Sequence, residues 1–249
     1  MTNYSLGAFT VAALLAAGVT APASTAAAAP AASPKPVMVA RYTFDTGIVG
    51  GRIAEVSGRG KAATIRATAG GRIVAGAIGA RRFVGFPANC ARSTTTCARA
   101  IVEAPDDVDL DPGTRRFRWG ATVSVVAAQV TDSSNVVQKG VDNGGSLWKM
   151  QIGPRKGLPQ CAVFGASATQ RYVVRSSRAI ADGGWHRVQC ERNGTALAIA
   201  VDGIITGRVA VPAALSISNN KPLRIGGPNL TNTGDMFHGR IDEVFATLG

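Results

Sequence analysis

The sequence predicts an all-β protein, a two-sheet antiparallel sandwich or jelly roll. Three observations carry that prediction. About a dozen short apolar/polar alternating runs are separated by Gly-, Asn- and Asp-rich turns, with no amphipathic helix longer than a turn. The stretch Gly184 to Gly203, GWHRVQCERNGTALAIAVDG, reads as a hairpin closed at Asn193-Gly194. Finally, one face of that hairpin is mostly apolar and must be covered by a second sheet.

The elements follow in order. Arg41 to Phe44 alternates and stops at the turn Asp45-Thr46-Gly47. Ala63 to Ala67 and Gly79 to Phe86 are strands, the latter leading into a Ser/Thr-rich loop between Cys90 and Cys97. Arg99 to Glu103 is a strand closed by Ala104-Pro105, and Asp106 to Gly113 is an acidic turn. Arg116 to Val130 is the longest strand-like run, with Phe117, Trp119, Ala121, Val123 and Val125 on one face against Arg118, Thr122 and Ser124. Val136 to Lys139 pairs with Leu147 to Ile152, where Trp148, Met150 and Ile152 alternate with Leu147, Lys149 and Gln151. Gln160 to Phe164, Gln170 to Arg175, the hairpin, Ile204 to Val209, Leu223 to Ile225 and Gly239 to Ala246 complete the set. With Asn193-Gly194 as the loop, Cys190 faces Leu197, Val188 faces Ile199 and His186 faces Val201.

The first 34 residues contain no Lys, Arg, Asp or Glu, and Ala8 to Val19 is an apolar run followed by small residues. That pattern predicts a signal peptide over 1–29, a Pro-containing linker over 30–37 and one domain over 38–249, with secretion and no membrane span. Four cysteines in an exported chain point to two disulfides. Of three possible pairings, Cys90–Cys97 with Cys161–Cys190 is favoured, because the first closes a short loop and the second ties the hairpin to an earlier strand. Zinc is excluded by the cysteine spacing.

The formal net charge is +12, and 21 of the 27 basic residues are arginines. An acidic partner is one reading, and a diffusely basic surface from coding bias is the other. Catalysis finds little support. The four glutamates, Glu55, Glu103, Glu191 and Glu243, form no acid pair of the kind retaining hydrolysis needs, about 5–5.5 Å apart. No Gly-x-Ser-x-Gly elbow occurs, and the two histidines read as a packed core residue (His186) and a loop residue (His238). Trp119, Trp148 and Trp185 all read as core. The outward polar positions Arg118, Lys139, Asp142, Asn143, Lys149 and Arg187 are the candidate ligand-binding residues.

An ordered set of short motifs adds a resemblance. Tyr42-Thr43-Phe44-Asp45, Ser57-Gly58, Gly79 through Phe83, Gln138-Lys139-Gly140, Trp185-His186-Arg187-Val188, Val201-Asp202-Gly203, Ile225-Gly226-Gly227 and Gly239 through Val244 occur in sequence. Together they resemble the laminin-G-like domains of the concanavalin A-like lectin/glucanase superfamily, in particular the stand-alone secreted forms of actinobacteria. The resemblance implies a jelly roll with adjacent terminal strands and a structural calcium using Asp242, with Asp45 or nearby carbonyls as co-ligands. It departs from the family at Glu55, where an Asp is usual, and in the added loop 90–97. The glucanase Glu-x-Asp-x-x-Glu pattern is absent. The expected function is therefore a secreted, non-catalytic lectin-like module. Its partner is carbohydrate, acidic glycans included, or a cell-envelope polymer. A protein-adhesion domain is the alternative, a glycoside hydrolase comes third, and nucleic acid is disfavoured.

Overall fold

The computed structural model describes residues 1–2, 35–90, 96–130, 132–142, 145–154, 156–231 and 234–249. The chain divides into Met1–Ser33 and Pro34–Gly249, and the fold below belongs to the second unit. The expected signal peptide, but for its first two residues, lies outside the described residues. No helix among the described residues is long and apolar enough to cross a membrane.

Alternation marks most of the strands, and every strand pairing is antiparallel. In chain order the strands are β1 (Val37–Tyr42), β2 (Arg52–Ile53), β3 (Ala63–Thr68), β4 (Val74–Ile78), β5 (Arg81–Gly85), β6 (Arg99–Ala104), β7 (Phe117–Val126) and β8 (Ser134–Lys139). There follow β9 (Leu147–Ile152), β10 (Pro159–Phe164), β11 (Arg171–Arg175), β12 (Asp182–Asn193), β13 (Ala196–Val201), β14 (Ile204–Ala210), β15 (Leu223–Ile225) and β16 (Arg240–Leu248). The first sheet runs β14-β13-β12-β7-β16-β5-β4, with β1 beside the C-terminal half of β16. The second runs β11-β10-β9-β8-β15-β6-β3-β2. The expected adjacency of the terminal strands is thus the β1–β16 pair.

The inward faces make one core. Phe117 and Trp119 of β7 meet Trp148 of β9 across the sandwich, with ring centroids 5.1 and 5.7 Å away. Both tryptophans are essentially fully buried, and each contributes roughly 4–6 kcal/mol of gross transfer free energy. Cys161 of β10 and Cys190 of β12 are bonded, joining the two sheets through the core with Cα atoms 5.7 Å apart. Cys90 and Cys97 are also bonded.

Several expectations change. The hairpin pairs Asn193 with Ala196, so its loop is Gly194-Thr195, one residue on, and Cys190 faces Ile199 rather than Leu197. Only Gly194 takes positive φ (56°) there, which suits a turn needing that conformation at its first central position alone. The shift displaces partners by two, so each residue keeps its face. The longest strand is β12, with 12 residues, whereas β7 ends at Val126 in a short 3-10 turn, Ala127–Gln129. β2 and β4 were not expected. β4 lies at the sheet edge, largely exposed on both faces, so no period-two pattern marks it.

Candidate functional site

The outward face of the second sheet gathers a set of amides for a local reason. β8 carries a register shift between Asn135 and Val137, so Asn135 and Gln138, three residues apart, both face outward. Asn135 Nδ2 donates to Gln138 Oε1 at 2.6 Å, and Gln138 Nε2 donates to the Gly140 carbonyl at 2.9 Å. Register then extends two rows. Asn135 lies opposite Gln151 of β9, which lies opposite Gln160 of β10. Gln138 lies between Lys149 of β9 and Arg224 of β15, and Arg224 is opposite Glu103 of β6. Gln151 Nε2 donates to Gln160 Oε1 at 3.0 Å. Arg224 Nε donates to Glu103 Oε2 at 2.9 Å, and its Nη1 donates to the Pro228 carbonyl at 2.7 Å.

All four amide side chains are buried, yet Asn135 Oδ1 and Gln151 Oε1 have no hydrogen-bond partner. A buried acceptor left unpaired costs about 1–3 kcal/mol. The two lie on neighbouring strands of one outward face.

Charges border this row. Lys149 is half-buried, and burial lowers its pKa against the opposing pull of Asp235 and Asp142. Asp235 is raised, first by burial and then by Asp132 and Asp142, with Lys149 opposing. The backbone carbonyl of Asp235 accepts from Asn135 N at 2.9 Å, and Asp235 has φ of 62°, a left-handed conformation that costs a non-glycine residue energy. Beyond Lys149, Asp142 pairs with Arg171, whose guanidinium lies 3.9 Å over the Phe164 ring. Leu147, Ala162 and Phe164 form a small apolar cluster there.

The six residues expected to bind ligand therefore separate. Lys149 and Asp142 belong to this face, and Asn143 lies outside the described residues. Lys139 points inward and is fully buried, with Nζ 2.6 Å from Asp111 and 2.9 Å from Asp106 and bonded to the Asn219 carbonyl. Its place is structural: Val137 faces Met150 in the core and Lys139, two residues on, faces Trp148. Arg118 and Arg187 lie on the outward face of the first sheet. Arg118 pairs with Glu191 at 3.2 Å, and Arg187 stacks on Phe245 at 4.9 Å. Trp185, expected in the core, is only part-buried and lies on that same outward face against Phe83, 5.4 Å between centroids. Sequence reasoning missed Asn135, Gln138, Gln151, Gln160, Arg224 and Asp235. Neutral amides on otherwise apolar strands were the available signal.

The residues expected to hold calcium do not make a cation cage. Asp242 Oδ2 accepts from Arg81 at 2.8 Å, and its Oδ1 accepts from Glu243 N at 2.8 Å. Asp45 is exposed in the first turn. One guanidinium and one backbone N–H thus take the two oxygens of the principal carboxylate, whereas calcium takes an all-oxygen shell.

His186 is buried as expected, and it has polar partners on both nitrogens. Nδ1 is 2.8 Å from Asp202 Oδ2 and Nε2 is 3.0 Å from Asp182 Oδ1. Two acceptors require two donors, which describes an imidazolium. Burial opposes that state, and the two carboxylates outweigh it and raise the pKa. No serine or cysteine nucleophile is hydrogen-bonded to this imidazole among the described residues.

A laminin-G family model, described as the concanavalin A-like lectin/glucanases superfamily, matches residues 111–245. The chain belongs to that superfamily. No curated protein matches the sequence. Among solved structures, domain 4 of AbnA, a GH43 extracellular arabinanase from Geobacillus stearothermophilus, in complex with arabinotriose, aligns with a TM-score of 0.66 at 15% identity, covering 87% of this chain and 94% of that one. The binding domain of botulinum neurotoxin DC in complex with SialylT aligns with a TM-score of 0.60 at 13% identity, covering 84% of this chain and 47% of that one. The binding domain of Paraclostridial Mosquitocidal Protein 1 gives 0.57 at 14% identity, covering 84% and 48%. This chain spans about half the length of those toxin chains. The likenesses show the fold.

Proposed function

We propose that the protein is a secreted, non-catalytic lectin-like module that binds carbohydrate on the outward face of the second sheet. The observation that carries this reading is the pair of buried, unpartnered acceptors, Asn135 Oδ1 and Gln151 Oε1, within a row of amides beside Lys149 and Arg224. A sugar presents many hydroxyl donors at close spacing, and planar amides with a few charged groups fix their orientation. Two structural neighbours are carbohydrate complexes, one with arabinotriose and one with SialylT, which supports the same class of ligand.

A non-catalytic role is supported by the fate of the glutamates. Glu55 accepts backbone N–H groups of Arg41, Ser57 and Gly58. Glu103 binds Arg66 and Arg224, Glu191 binds Arg116 and Arg118, and Glu243 binds Arg41. None is left free to act as acid or nucleophile. Secretion is supported by the two disulfides and by the apolar, uncharged first 34 residues.

The test is a glycan array with the full chain, followed by calorimetry on the best ligand with Asn135→Leu and Gln151→Leu. Each variant removes an orphan acceptor. Affinity falls about tenfold or more, while folding stability drops by no more than about 1–3 kcal/mol. That drop arises because each change also takes the donor from Gln138 Oε1 or Gln160 Oε1, and the folded variant is the species titrated. Silence on every glycan, or full affinity in both variants, sinks the reading.

A further inference from the structure

The outward face of the first sheet carries a second set of groups, with an uneven balance of charge. Glu191 binds Arg116 and Arg118, Glu243 binds Arg41, and Asp242 binds Arg81. Arg187 and Arg240 are exposed and have no carboxylate partner among the described residues. Each guanidinium lies instead on an aromatic ring, Arg187 on Phe245 at 4.9 Å and Arg240 on Phe83 at 5.3 Å, while Arg81 lies 4.7 Å over Trp185.

The rings are there because the face is built for them. Arg240 of β16, Ser124 of β7 and Trp185 of β12 form one cross-strand row, and Asp242, Thr122 and Arg187 form the next. In the third row Gly120 separates Phe245 from Gln189, and a Cβ at Gly120 would clash with the Val188 carbonyl and meet the Phe245 ring at 3.0 Å. The missing side chain lets the ring lie down on the sheet. Stacking uses the flat side of a guanidinium and restrains its rotamers, while its N–H edge stays available. That edge is the fork that takes an oxyanion in a bidentate pair. Strand spacing and rise put the Arg187 and Arg240 Cα atoms roughly 12 Å apart.

We infer that this face is a second binding site, for a sugar polymer carrying carboxylate or sulfate groups, with Arg187 and Arg240 as its anion-binding residues. The site is independent of the second-sheet reading and lies on the opposite side of the sandwich. A nucleic acid fits less well. Phe83, Phe245 and Trp185 are already covered by guanidinium groups, so no ring is offered to stacking bases, and the sheet presents no helix or ribbon to a duplex groove. A membrane fits less well too, because Phe83 and Phe245 are buried and present no apolar surface for insertion. The chain's formal charge of +12 assists the encounter with any polyanion, so the test must separate this site from charge alone.

The full chain is passed over immobilised polyuronate, sulfated polysaccharide, neutral polysaccharide and single-stranded DNA at several salt concentrations. The unmodified chain is retained by the uronate or the sulfated resin, and which of the two identifies the anion. Arg187→Gln with Arg240→Gln weakens that retention about tenfold or more and flattens its salt dependence. Arg72→Gln with Lys221→Gln, two exposed loop positions, removes the same charge elsewhere and changes it about threefold at most. Sugar binding at the second sheet is unchanged in both double variants, so the two sites fail or survive separately. Equal losses in the two double variants overturn the inference in favour of net charge. Loss with Lys149→Gln instead places the anion on the second sheet, and tighter Arg187- and Arg240-dependent retention by DNA assigns the face to nucleic acid. Either result overturns the inference.

Discussion

Replacing Lys139 by methionine tests whether this residue serves the fold or the ligand. Its side chain is wholly inaccessible, and its ammonium group meets Asp111 and Asp106, which are 14% and 44% exposed. Methionine fills a similar volume but leaves Asp111 opposite an apolar group, with the Asn219 N–H at 3.0 Å as a remaining donor. Asp106 rehydrates easily and contributes little, so the cost sits on Asp111. Breaking one side of a buried ion pair costs about 3–5 kcal/mol. For a fold of this size, about 2–4 °C per kcal/mol converts that to a drop in melting temperature of roughly 10 °C. Urea unfolding at pH 7 reads the free energy, and adding Asp111→Asn to the variant closes a double-mutant cycle. The second change is expected to restore more than half of the loss, because an amide needs no counter-charge. Sugar affinity of the folded variant stays at the parental value. A variant within about 1 kcal/mol of the parent that has lost sugar binding would refute the reasoning and return Lys139 to the ligand.

Two further predictions concern stability. His186 is raised above 6.5 in the folded state, so its contribution is complete below about pH 6.5 and is lost as pH rises through the folded value. Asp182 and Asp202 are lowered from 3.8, and their contribution is lost as pH falls through their folded values. Denaturant midpoints between pH 4 and 9 are expected to peak on the acid side of neutrality, and His186→Gln flattens the alkaline decline; parallel profiles for parent and variant would count against the imidazolium. Removing the Cys161–Cys190 bond by double alanine substitution opens a 29-residue separation, worth about 3–4 kcal/mol by loop entropy. The Cys90–Cys97 bond, spanning 7 residues, is worth roughly 2 kcal/mol, and the opposite ranking in urea unfolding would show that core linkage does not set the order.

The glutamine row shows why the site was only half legible. Gln151 was placed on the outward face by its alternation with Met150 and Ile152, and Lys149 with it. Nothing local says that Gln160, Asn135 and Arg224 arrive beside them, because those neighbours come from β10, β8 and β15 and meet only in the sheet. The Val136-Val137 pair leaves the parity of β8 open, and the register shift there turned Lys139 inward. Trp185 shows the converse error. A large aromatic at the start of a strand reads as core, although alternation with Arg187 and Gln189 sets it outward, and the approach of Phe83 and Arg81 from β5 shows what covers it there.

By itself the sequence determined what depends on neighbours in the chain. Period-two alternation and Gly/Asn/Asp turns define strands and their faces, so the all-β class, the faces of β7, β9 and β12 and the superfamily were all readable. The tertiary structure alone decided which side chains converge. Convergence depends on strand order, bulges and register between segments up to 100 residues apart or more, as with Glu103 and Arg224. It made a buried ion pair of Lys139, a covered stack of Trp185 and Arg81, and a row of four buried amides, two with unpaired oxygens, that look unremarkable in the chain.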